Sequence, residues 1–259
     1  MTHSLHPAAQ KGFSSAAERY QQARPSYPLA LVDWLTHDLE ICAESHVVDL
    51  GSGTGKFLNL LKQVSSNIIA IEPVAEMLEQ LKIVHPEVHT LQAKSDQIPL
   101  KLASIDAVLC AQSFHWFADI KTLNQIHQIL RPDGHLGLVW NQRNEDIIWV
   151  KALADLIATY EGDTPRFHSG QWKAVFEQQS LFKFQSMQVF SQDQTGTVEQ
   201  VVSQRFLSTS FIAAMPVAQQ MQLKQKFEDI VLQHTGKSPQ DEIDFPYVTY
   251  AYHYKKLTL

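Results

Sequence analysis

The chain reads as an α/β protein built on a doubly wound, mostly parallel sheet with helices on both faces. Three observations predict it. Short apolar runs alternate with helical patterns between residues 29 and 142. The runs are continuous in Val, Ile, Leu and Ala, as strands covered on both faces require. The first of them, in Val47-Val48-Asp49-Leu50-Gly51-Ser52-Gly53-Thr54-Gly55, passes through three alternate glycines into a helical pattern that opens at Phe57. A tight turn between a buried strand and a helix start is a place where backbone N–H groups can meet a ligand.

Taken in order, residues 13–22 predict a short helix. The stretch Arg24-Pro25-Ser26-Tyr27-Pro28 ends it, because residues before proline avoid the α region. Pro28 suits the first position of a helix over 29–39. The first strand, 47–49, and its glycine turn follow. A second buried strand over 67–72 ends in Glu72, and a helix follows over 74–83. Residues 88–91 read as a third strand and 93–100 as a loop. A fourth strand spans 105–110. Asp119 is placed to cap a helix over 120–130. Arg131-Pro132-Asp133-Gly134 reads as a turn, and 135–140 as a fifth strand. Strand–helix alternation of this spacing implies right-handed crossovers. Ligands then bind beyond the carboxyl ends of the strands, where Asp49, Glu72, Ala111 and Trp140 fall. Beyond 146 the pattern changes to helical stretches at 147–160, 197–207 and 217–233. Strand-like stretches lie at 184–190 and 247–254.

Composition narrows the function. The 259 residues carry a net charge of −6 and no basic block, which argues against nucleic acid as a partner. No run of about 18 apolar residues suggests a membrane span. The opening residues lack the charged and apolar regions of a signal peptide. The two cysteines, Cys42 and Cys110, are no disulfide framework. A cytoplasmic protein is the expectation. His85 and His89 are four apart, but Pro86 interrupts any helix between them and no third ligand is near, so no metal is expected.

The glycine loop distinguishes among nucleotide ligands. A phosphate-cradling loop needs four residues between its glycines and a Ser or Thr after the lysine. Here Gly51 and Gly55 are one residue too close, and Phe57 stands in the hydroxyl position. A dinucleotide fold needs its third glycine where Lys56 stands. The pattern present is acidic-x-G-x-G-x-G, and it resembles the first motif of the class I S-adenosylmethionine-dependent methyltransferases. Glu72, 17 residues after Gly55, sits where a carboxylate accepts from ribose hydroxyls.

Further segments carry the same resemblance. Ser95-Asp96-Gln97-Ile98-Pro99-Leu100 is similar to the family's A-E-x-L-P-F loop, with Asp in place of Glu. Ala111-Gln112-Ser113-Phe114-His115-Trp116-Phe117 resembles an A-x-x-x-H-W-F segment, and Phe13, Tyr20, Arg24, Pro25, Tyr27 and Pro28 resemble an N-terminal signature. Both belong to a branch that includes trans-aconitate methyltransferase-like proteins.

The resemblance implies a Rossmann-like, seven-stranded, mostly parallel sheet with an antiparallel edge strand and a helical cap. It implies residues 1–28 as a lid segment, 29–142 as the cofactor-binding core, and 143–259 as the cap plus the last two strands. S-adenosyl-L-methionine would be held by Tyr20, Arg24, Asp49, Gly51, Ser52, Gly53, Gly55, Glu72, Pro73, Ser95, Asp96, Ala111 and Gln112. His115 and Trp116 would line the floor near the methyl group, His115 either as a base or as a structural ring. Tyr27, Trp140, Arg143 and Arg205 would face a small-molecule substrate. Since arginine suits carboxylates, a carboxylate oxygen is the favoured acceptor. A non-catalytic S-adenosylmethionine-binding regulator and an NAD-linked oxidoreductase are the alternatives.

Overall fold

A computed structural model describes residues 24–162, 164–177 and 179–258. The expected helix over 13–22, the lid segment up to residue 23, and Tyr20 lie outside the described residues. Seven strands form one sheet in the order β3-β2-β1-β4-β5-β7-β6. They are β1 His46–Leu50, β2 Asn67–Ile71, β3 His89–Leu91, β4 Ile105–Ala111, β5 Leu130–Arg143, β6 Phe182–Thr197 and β7 Glu242–Lys256. The pairs β1–β2, β1–β4, β2–β3 and β4–β5 are parallel. The sheet also carries antiparallel strands. Chain order runs outward from β1 through β2 to β3, then resumes at β4 on the other side of β1. The switch point therefore lies between β1 and β4, and the glycine turn leaves β1 there.

Contacts divide the chain into two compact units. Among the described residues, one comprises 27–140, 165–190 and 249–258; the other comprises 24–26, 141–164 and 191–248. The stretch 143–259 thus contributes to both.

The first unit has two apolar layers. On one face of the sheet, Val48, Leu50, Val108 and Cys110 pack with Trp140, Trp172, Tyr252 and Tyr254. On the other, Val47, Ala107, Leu109 and Ala251 pack with Trp34 and Leu35 of α1 (Leu31–His37) and with Leu58 and Leu61 of α2 (Leu58–Leu61). Period-two alternation along β7 sends the tyrosines to one layer and Ala251 to the other, as its sequence requires. Helix α3 covers Ala75–Val84 and α4 covers Ile120–Ile129. The Asp119 carboxylate accepts from the Thr122 N–H at 2.7 Å, the cap that its position predicts.

Two local readings change. The turn at Arg131–Gly134 exists, but inside β5. The partner of Ile105 is Leu130 and that of Ala107 is His135, so four residues bulge out, with Asp133 at φ +62°. The stretch 197–207 is not one α-helix. Glu199–Gln204 winds as a wide π-type turn and runs into the short α6, Arg205–Leu207. The second unit is otherwise built from α5 (Ile148–Glu161), α7 (Ser210–Ala213) and α8 (Val217–Thr235) around Phe206, Phe227, Phe245 and Tyr247. No helix among the described residues is long and apolar enough to cross a membrane.

His135 on β5 and His253 on β7 are both buried, with Nδ1 and Nε2 2.9 Å apart. Burial lowers both, and the neighbouring imidazole helps push His253 down to about 4, against the opposing pull of Asp38 and Glu40. The unfolded chain, with His near 6.5, then binds more protons than the native state as pH falls below that value. The pair's contribution is present above about pH 6.5 and is lost toward pH 4. Chemical denaturation of wild type and His253→Asn should show wild type losing stability relative to the variant across this window. Parallel curves would show that the pair does not titrate with unfolding.

Candidate functional site

The turn after β1 is shaped from both sides. The Gly51 and Ser52 N–H groups donate to the Ile71 carbonyl at 2.8 and 3.1 Å, tying the turn to the end of β2. Gly51, Gly53 and Gly55 all lie in the left-handed region, at φ +71°, +57° and +85°. A Cβ at Gly51 would fall 2.6 Å from the Ser113 Cβ, and one at Gly55 would fall 2.7 Å from the His85 ring. Those two glycines are required by the protein's own packing. A Cβ at Gly53 would meet only the Met77 sulfur, at 3.9 Å. Gly53 is therefore the position with room for a ligand against the backbone.

Glu72 follows β2 and is 5% exposed. Its Oε2 accepts from the Gly53 N–H and its Oε1 from the Val74 N–H, both at 2.9 Å. Each carboxylate oxygen keeps a second lone-pair site for a ligand hydroxyl. Burial raises Glu72 to about 7, against the two N–H groups, which favour the charged form. Asp49, at the end of β1, is 1% exposed. Burial, reinforced by the Glu72 charge, raises it to about 8. Among the described residues, neither Asp49 oxygen has a hydrogen-bond partner, nor do the Ser52 and Thr54 hydroxyls. Unpaired buried carboxylates cost free energy. A ligand bearing positive charge and hydroxyl groups fits these acceptors. S-adenosylmethionine, with its sulfonium, ammonium and ribose, is such a ligand.

The other strand ends converge on the same side. Gln112 follows β4 at φ +58°, a conformation that costs a non-glycine residue about 1–3 kcal/mol. Its N–H donates to the Val139 carbonyl at 2.8 Å. The Ser113 hydroxyl donates to the Leu50 carbonyl at 2.7 Å and so joins this loop to β1. Phe114–Trp116 forms one 3-10 turn. The Trp140 indole N–H donates to His115 Nδ1 at 3.0 Å. Trp140 itself is fully buried, 4.5 Å from the Trp172 ring. Ser95 and Thr122 hydroxyls meet at 2.8 Å, which fixes the loop carrying the half-buried Asp96 onto α4. Pro73 lies between Glu72 and Val74, and Ala111 ends β4. Tyr27 packs edge-on against Phe57 at 4.9 Å.

The first unit thus holds every described residue expected at the cofactor except Arg24, together with His115, Trp116, Tyr27 and Trp140. Arg24, Arg143 and Arg205 belong to the second unit. There, an Arg24 nitrogen lies 3.5 Å from the Ser208 carbonyl, and the Arg143 guanidinium lies 5.2 Å from the Phe206 ring centre. Sequence reasoning missed Ser113 and His85, whose packing demands two of the glycines. The glycine pattern was the available signal, but it does not name its partners.

The chain is similar to known proteins. Residues 48–138 match the family model described as a methyltransferase domain. A methyltransferase-like protein of Schizosaccharomyces pombe is 32% identical over 247 residues, covering 95% of this chain and 96% of the relative. The chain belongs to the S-adenosylmethionine-dependent methyltransferases. A Mycobacterium bovis methyltransferase is 40% identical over 154 residues, which is 60% of this chain and 61% of the relative. Among solved structures, a protein named as a type II methyltransferase from Anaeromyxobacter dehalogenans has a TM-score of 0.68 at 18% identity, covering 89% of this chain and 97% of that one. At that identity the likeness concerns the fold.

For this methyltransferase, the raised carboxylates set a pH dependence. Ribose hydroxyls donate to ionised oxygens, so raising pH through about 7 and 8 should tighten S-adenosylhomocysteine binding. Glu72→Ala should weaken it by about 1.5–3 kcal/mol, the range for hydrogen bonds to a charged group. It should also flatten much of the dependence. Calorimetric titrations from pH 6 to 8.5 decide this; a flat wild-type profile, or an unchanged affinity in the variant, refutes the ribose assignment.

Proposed function

We propose that the enzyme transfers a methyl group from S-adenosylmethionine to a small acidic molecule, with a carboxylate oxygen as the acceptor. The cofactor supplies a methyl group already activated by its sulfonium. The protein's task is to place a nucleophile in line at about 3–3.5 Å and to exclude water. Glu72, Asp49 and the Gly53 turn hold the cofactor in this reading, with Ser95, Asp96, Ala111 and Gln112 around it. His115 and Trp116 form the floor beside the methyl group.

The observation that supports a carboxylate over a hydroxyl or amine is the bond from Trp140 to His115. With Nδ1 accepting, the neutral imidazole keeps its proton on Nε2 and cannot take another there. An ordered ring of this kind suits packing better than general-base work. A carboxylate needs no base, because it is already ionised. Arginines such as Arg24, Arg143 and Arg205 suit an acidic small molecule in general.

The test is chemical. A cell extract incubated with the enzyme and deuteromethyl cofactor should yield a labelled small molecule. Mild alkali should release that label as methanol. Label that survives alkali would identify an ether, amine or carbon product and overturn the carboxylate reading.

A further inference from the structure

The second unit holds a group of buried polar atoms that its own fold leaves unused. Arg205 is 7% exposed, yet its Nε and Nη1 have no hydrogen-bond partner among the described residues. The Thr209, Ser210 and Tyr247 hydroxyls are also buried, and they too have none. Arg205, Thr209 and Ser210 lie within six consecutive residues that contain a sharp break. Ser208 closes α6 by donating from its hydroxyl to the Arg205 carbonyl at 2.7 Å, and Thr209 then turns extended at ψ 132°. Tyr247 joins the same apolar cluster as Phe206, through Phe245 at 5.0 and 6.1 Å.

Buried arginines are normally matched by a carboxylate. Three acids of this unit are already engaged elsewhere. Glu228 accepts from the Ser203 hydroxyl at 2.9 Å and from Lys224 at 2.6 Å. Lys224 also bridges to Glu199 at 3.3 Å. Asp244 accepts from Thr195. No ion pair reaches Arg205 among the described residues. Arg24 and Arg143 both approach the 206–208 stretch. A guanidinium and hydroxyls are donors that a ligand oxyanion can satisfy.

We propose that Arg205, Thr209, Ser210 and Tyr247 form a subsite for an oxyanion carried by the substrate, a carboxylate or a phosphate. The subsite anchors the substrate and does not present its reacting atom. An oxygen held by a guanidinium and hydroxyl donors has its lone pairs engaged and is a poor nucleophile. The substrate therefore carries two groups, one to be held and one to be methylated. As an account of the substrate, this rests on the small-acid reading above; as a binding site, it stands on the second unit alone.

The test is calorimetry on the protein saturated with S-adenosylhomocysteine, using glutarate, inorganic phosphate and the neutral glutaramide as probes. Glutarate or phosphate should bind and glutaramide should not. Arg205→Lys, which keeps the charge but loses the planar donor set, should weaken oxyanion binding roughly ten- to hundredfold. Tyr247→Phe, which removes one hydroxyl and keeps the ring, should weaken it several-fold. S-adenosylhomocysteine affinity should stay unchanged in both, which certifies their fold. Preference for phosphate over glutarate would keep the subsite and assign a phosphorylated substrate. Binding of neither oxyanion, or binding equal to wild type in both variants, would overturn the proposal. An alkali-stable product alongside Arg205-dependent oxyanion binding would reject the carboxylate acceptor and leave the subsite standing.

Discussion

The constraint on which the first unit depends is the carboxylate of Glu72 bridging two backbone turns. Through Gly53 it holds the glycine loop after β1, and through Val74 it holds the start of α3. The turn thus has its shape before any ligand arrives, which lowers the ordering cost of binding. It also explains why an acid belongs at the end of β2 in this fold. A neutral side chain there would leave two N–H groups without a charged acceptor. Glu72 also lies close enough to Asp49 for its charge to raise the buried Asp49 carboxyl further. The site is electrostatically strained toward a cationic, hydroxyl-rich partner.

Much of the core was legible in the sequence because its strands are continuous apolar runs. His46–Leu50, Asn67–Ile71 and Ile105–Ala111 appear within a residue or two of their expected limits. The outer strands were harder. β6 extends to Thr197, beyond the expected 190, because polar residues such as Gln188 and Gln192 face inward there. They hydrogen-bond to Asp38 and to the Ser26 carbonyl within their respective units. Hydrophobic periodicity cannot find a strand face that is half-buried and polar. The stretch 197–207 failed differently: a π-type turn and an α-helix share the same apolar spacing to within a residue.

The site was legible as a set of residue types and not as energetics. The three glycines, Asp49 and Glu72 announce a nucleotide-like ligand. Which glycine faces it depends on Ser113 and His85, contributed by distant segments. Arg205 stands out in sequence, while Thr209 and Ser210 belong to a stretch that only loosely resembles a substrate-side segment of the family. Only burial without partners sets them apart. The structural role proposed for His115 rests on its hydrogen bond to Trp140, a tertiary fact that the His-Trp motif does not contain.

The central claim is that this acid pair and the open Gly53 position select an S-adenosyl ligand over a dinucleotide. Competitive calorimetry of the full chain with S-adenosylhomocysteine and NAD tests it most directly. The account predicts one equivalent of S-adenosylhomocysteine bound, undisturbed by a large excess of NAD. Displacement by NAD, or tighter binding of NAD alone, would contradict it.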